Sequence, residues 1–155
     1  MSSTTRTIRP ANTFLVAGAA LSGMAALLHL ACLVVGAPMF RLMGAGEQMA
    51  QLHAAGHWYP VVVTAGIAGV LLAWSAYALS GAGVLVRLPF TRTALCLITA
   101  VYVVRGVAFL PAMAYFPGNS MVFGVVSSAI CLAIGVVHGI GLKKAWPRLS
   151  GRVAR

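Results

Sequence analysis

The 155-residue chain is 61% hydrophobic and only 8% charged, against roughly 25% charged in an average soluble domain, which excludes a soluble fold and leaves an integral membrane protein. Eleven Lys and Arg against one Asp or Glu give a formal net charge of +10. That balance alone would suit nucleic acid, but the cations flank apolar runs, so they read as topology signals and contacts to anionic lipid, with no nucleic-acid partner. The single internal carboxylate also excludes paired-acid hydrolysis and argues against a multi-carboxylate metal centre.

Four apolar runs, over residues 13–36, 59–80, 93–115 and 121–142, each reach the ~20 residues a helix needs to cross a bilayer. Their continuity favours helices over the ~10-residue alternating strands of a barrel. The expected fold class is all-α: a transmembrane four-helix bundle with a short amphipathic helix in the outer loop between helices 1 and 2. Residues 1–12 form a cytoplasmic N-terminal segment, 13–142 the transmembrane domain, and 143–155 a basic cytoplasmic tail.

Arg6 and Arg9 precede the first run as they would in a signal peptide. The run is longer than an h-region and no small-x-small site ends it, so it is read as the first helix. His29 lies about two turns from its outer end.

The outer loop 37–58 contains Gly44 and Gly46 before a short helix expected from 47 to about 55, with Glu47 in its first turn and Gly56 ending it. Met49 and Leu52 form its apolar edge, which can lie on the membrane or cap the bundle. His53 and His57 have the i, i+4 spacing of a paired imidazole site, but Gly56 separates them and no further carboxylate or thiol completes a familiar ligand set, so no metal site is assigned. Trp58 and Tyr59 outside, and Trp74, Tyr77 and Trp146 inside, read as interfacial aromatic belts.

Arg105 sits near the middle of the third run. A cation there costs roughly 2.5–3.5 kcal/mol on insertion scales unless paired, hydrated or snorkelled. Arg105 and His29 could share an outward-facing cavity. Glu47 is the one internal carboxylate: an inward-folded loop would pair it with Arg105, as a staple or within a ligand site, and the alternatives are Arg41 or solvent. Pro111, six positions on, frees backbone acceptors near the guanidinium or simply kinks the helix end. The candidate ligand-binding residues are Arg105, Glu47, His29, His53 and His57; no catalytic residue and no cofactor is assigned.

In the fourth run Gly124, Ser128, Cys131, Gly135 and Gly139 recur every three or four residues, a small-residue stripe that admits another backbone. The expected partner is helix 1, through Gly18, Ser22 and Ala26, or a second protomer in a homo-oligomer. His138 is read as bonding locally. Cys32, Cys96 and Cys131 lie on different spans with no C-x-x-C pair, which argues against dithiol redox chemistry.

Nine cations, Arg6, Arg9, Arg87, Arg92, Lys143, Lys144, Arg148, Arg152 and Arg155, lie on one side of the spans and Arg41 alone on the other, with none in the loop 117–120. Both termini are therefore expected in the cytoplasm, the protein being multi-pass in a bacterial inner membrane.

With His29-Leu30 ending the first helix, Gly44-Ala-Gly-Glu47 in the loop and Trp58-Tyr-Pro60 opening the second, the layout resembles small bacterial four-helix membrane proteins of the broad DoxX-like kind. The resemblance covers topology over the whole chain and implies an association with quinone-linked oxidoreductase complexes; it carries over no functional residue. The leading expectation is a non-catalytic component that binds a lipid, a quinone or a partner membrane protein. The alternatives are an oligomeric transporter or channel for an anion or proton, and a small intramembrane enzyme.

Overall fold

The computed structural model describes residues 10–113 and 120–151. Arg6, Arg9, Arg152 and Arg155, the expected end of the third span at Tyr115, and loop residues Pro117, Gly118 and Asn119 lie outside the described residues. The described chain is helical: α1 Thr13–Val35, α2 Ala37–Leu42, α3 Glu47–Ala54, α4 Trp58–Ala82, α5 Thr91–Ala112 and α6 Met121–Leu149. α1, α4, α5 and α6 are long and apolar enough to cross a membrane, and the expected four-helix bundle is the fold observed.

Each helix boundary has a local cause. The Asn12 side chain caps α1 by accepting from the Leu15 amide, and Ser120 caps α6 by accepting from the Phe123 amide. Gly83, at φ 83°, ends α4 in the left-handed conformation. α5 ends at Ala112, one residue after Pro111, so the proline belongs to the helix end. α6 continues seven residues past the expected Leu142, and Ala145 and Leu149 of that extension are buried. Nothing between Lys143 and Trp146 breaks a helix, and cations in the last turns suit its dipole.

In cyclic order α1, α4, α5 and α6 surround the core, with α1 packed most extensively on α4 and α5 on α6. Small residues dominate the interior: Ala19, Ala26, Ala68, Ala78 and Ala82 are buried, while Leu27, Val34, Val62, Leu97, Val104 and Val122 are exposed. That inversion suits lipid, which is as apolar as leucine, so helices gain from close backbone approach more than from hiding large side chains.

The stripe on α6 meets α5, which corrects the expectation of helix 1. A Cβ at Gly135 would lie 2.9 Å from Val103 Cγ2, Gly139 faces Thr99, and Gly124 faces Met113. α1 instead reaches α6 through Gly18, which lies under the His138 ring, and through Leu15 against Gly141. The stripe is thus occupied within the chain.

A second, smaller core lies where α2 and α3 fold over the end of α1: Cys32, Phe40 and Ala50, with Met39, Met43 and Met49 around them. Gly44, at φ 70°, lies so close to the Phe123 ring that a Cβ would overlap it. The segment carrying α2 and α3 therefore caps the bundle.

Candidate functional site

Arg105 projects from α5 toward α6. Its guanidinium carbon lies 3.5 Å from the Phe109 ring centroid, one turn on, and Nη2 donates to Ser127 Oγ at 3.3 Å. Phe109 meets Phe123 edge-on, with ring centroids 6.2 Å apart. The contact with the α2–α3 turn thus runs from Gly44 through two aromatic rings to the cation. Arg105 Nη1 is buried and has no hydrogen-bond partner among the described residues. Seven residues separate it from Ala112, about 10 Å along the helix, so the cation sits nearer the C-terminal end of α5 than the midplane expected from the longer span.

Glu47 pairs with Arg41, not Arg105. The exposed carboxylate accepts from Arg41 Nε at 2.7 Å and Nη2 at 2.8 Å, and from Gln51 Nε2 at 3.2 Å. The turn between α2 and α3, with Gly44 and Gly46 at positive φ, folds these partners back on each other. The Arg41 guanidinium holds the Glu47 carboxyl well down, at about 2, and is itself pushed up by the carboxylate. Desolvating the carboxylate at Arg105 would cost more than this solvated bidentate pair.

The three histidines of the candidate set act locally. His29 Nδ1–H donates to the Ala25 carbonyl at 2.8 Å. His53 packs on Phe40, centroids 5.0 Å apart, above Gly36. His57 caps α4, its Nδ1 accepting from the Tyr59 amide at 3.2 Å, and stacks on Trp58. Gly56, at φ 74°, ends α3 between His53 and His57 as the sequence suggests. No hydrogen bond, ion pair or ring contact joins Arg105 to Glu47, His29, His53 or His57 among the described residues, and no three His, Cys, Asp or Glu side chains there could hold a metal ion together.

The structure instead builds a polar seam around Tyr102, which is not among the residues singled out from the sequence, and brings to it Ser22, Trp74 and His138, read there as a packing residue, an interfacial anchor and a locally bonded histidine. Tyr102, one turn before Arg105, places its hydroxyl 2.9 Å from Ser22 Oγ of α1. Trp74 of α4 meets the Tyr102 ring edge-on at 5.2 Å, and His138 of α6 stacks on it at 5.4 Å. Trp74 therefore faces the core instead of the membrane interface. His138 is fully buried, and its Nδ1–H donates to the Ile134 carbonyl at 3.0 Å. This is the local bond expected, and it leaves Nε2 as the acceptor of the neutral ring. Nε2 and the Ser128 hydroxyl have no partner among the described residues.

Arg105 Nη1, Ser128 Oγ and His138 Nε2 are the three buried side-chain polar atoms left unpaired there, and all belong to α5 and α6. Each unpaired buried group costs roughly 1–3 kcal/mol, and such groups concentrate where a ligand or water completes the bonding. A usable sequence signal existed for Tyr102: a tyrosine in mid-span needs a partner for its hydroxyl, and three residues from Arg105 it shares that residue's face. For His138 the sequence points only to a local bond and for Ser128 only to close packing on the small-residue stripe, because which helix covers α6 cannot be read from its own pattern.

No protein-family model, curated protein or solved structure matches this chain.

Proposed function

We propose that this small integral membrane protein is a non-catalytic component of a bacterial inner membrane that binds a lipid or quinone at the seam between α5 and α6, with an acceptor oxygen of the ligand on Arg105. The observation that carries this reading is the unpaired Nη1 of Arg105. The chain's one internal carboxylate is engaged by Arg41, so an oxygen-bearing ligand is what completes the cation's shell. Ser127 and the edge of the aromatic cluster at Phe109 and Phe123 give such a ligand a polar contact and an apolar wall. The DoxX-like resemblance in layout supports a quinone among candidate ligands, and the charge split supports cytoplasmic termini.

Native mass spectrometry of the full chain in mild detergent tests this. Wild type is expected to retain a lipid or quinone that Arg105→Ala loses and Arg105→Lys partly keeps. Equal retention by all three forms would remove Arg105 from binding. An empty higher oligomer would move the reading to transport of an anion or proton, with Arg105 as the selecting cation.

A further inference from the structure

At the opposite end of the bundle from Arg41 and Glu47, the cations divide into two groups. Arg87 donates to the Leu149 carbonyl at 2.9 Å and Arg148 to the Gly81 carbonyl, each closing the C-terminal end of a helix. Lys144 lies over the Phe14 ring at 4.0 Å. Arg92 stacks on Trp146 at 3.9 Å, and Arg92, Lys143 and Lys144 each lack a hydrogen-bond acceptor and a counter-charge among the described residues; Lys143 shares a groove with Trp146, whereas Lys144 lies on Phe14 of α1. Glu47, the one internal carboxylate, is held by Arg41 at the other end.

Lys143 lines an open groove of about 420 Å³ together with Gly139, Leu142, Trp146 and Pro147, and Arg92 lies over the Trp146 ring that forms part of its wall. Arg92 approaches it as the second residue of α5, a helix whose N-cap, Phe90, supplies no side-chain acceptor. The amides of that first turn add partial positive charge. The groove lies where α6 changes from apolar to basic, at Leu142 and Lys143, and Trp146 has the amphipathic ring favoured at that depth. Its apolar side is continuous with the exposed Val136 and Ile140 of the same helix.

We propose that this groove binds one anionic phospholipid, its headgroup phosphate held by Arg92 and Lys143 and an acyl chain laid along Leu142 and Gly139. The cations supply the charge complementarity, and the apolar floor is what distinguishes a phospholipid from free phosphate. The site is independent of the Arg105 reading, sharing no residue with it.

The test measures retention of added phosphatidylglycerol against phosphatidylcholine by the detergent-purified full chain in native mass spectrometry, with melting temperature as the check on folding. Phosphatidylglycerol is expected to be retained in preference. Arg92→Gln and Lys143→Gln should each reduce its retention about fivefold, and Lys143→Arg should restore it. Lys144→Gln, which removes the same charge one residue away, should change retention by no more than about twofold. Equal retention of the two lipids, equal losses in Lys143→Gln and Lys144→Gln, or displacement of phosphatidylglycerol by millimolar inorganic phosphate would each overturn the proposal.

Discussion

Glu47 ties the α2–α3 segment to pH. Its carboxyl is held at about 2 in the folded chain, chiefly by the hydrogen bond from Arg41, against an ordinary value of 4.5. A carboxyl depressed on folding contributes stability that is fully present above its unfolded value and disappears as pH falls through the folded one. Melting temperature in detergent should therefore fall between pH 4.5 and about 2 more steeply in wild type than in Glu47→Gln; parallel profiles would mean that the pair contributes nothing. The effect is small, because both partners are exposed. Arg105→Ala and Glu47→Ala should add within about 0.5 kcal/mol, since no contact couples them. The sequence showed that Arg105 is costly and Glu47 scarce. It could not show that Arg41, six residues from Glu47, takes the carboxylate, because that depends on the backbone turn at Gly44 and Gly46.

The seam between α1 and α6 depends on one missing methyl group. A Cβ at Gly18 would sit 2.7 Å from His138 Cε1 and 3.0 Å from Nε2, and the ring is held between Tyr102 and the Ile134 carbonyl. Gly18→Ala is expected to destabilise the bundle by roughly 1–3 kcal/mol, with His138→Ala restoring part of the loss in the double variant. An unchanged melting temperature for Gly18→Ala would show that the ring can move aside. The four spanning helices were legible, because ~20-residue apolar runs admit few alternatives, and Glu47 and Gly56 marked α3; α2, Ala37–Leu42, was not anticipated, being six residues with only a proline near its start to mark it. Packing partners were less so: Gly135 and Gly139 announced a close approach, but small residues on α1 and on α5 satisfy it equally well in sequence. The choice was made by Val103 and Thr99 of α5, whose inward direction follows from the rotation of that helix. The length of α6 was underestimated because Lys143 and Lys144 read as the membrane boundary, whereas a helix need not stop where the lipid does.

The asymmetric placement of cations predicts orientation for the assembled bundle. A periplasm-dependent reporter fused after Leu149 should be inactive and a cytoplasm-dependent one active; the reverse would invert the topology and the sides assigned to both sites. Cation placement was legible in the sequence, but the work these residues do was not. Arg87 and Arg148 were read as topology signals and contacts to anionic lipid, yet they also close helix ends across the bundle, contacts between positions 62 and 67 residues apart that local pattern cannot reveal.

The most extensive packing joins α1 with α4 and α5 with α6, so each hairpin can close in the bilayer while later segments are still being synthesised. The contacts between hairpins must wait. Asn12 ends with its backbone amide on the Ala82 carbonyl and its side-chain amide on the Gly141 carbonyl, the latter 129 residues downstream. The residue that starts the first helix is therefore a latch that only the last helix can close, and an arrested or truncated chain lacking that helix would present it open to quality control.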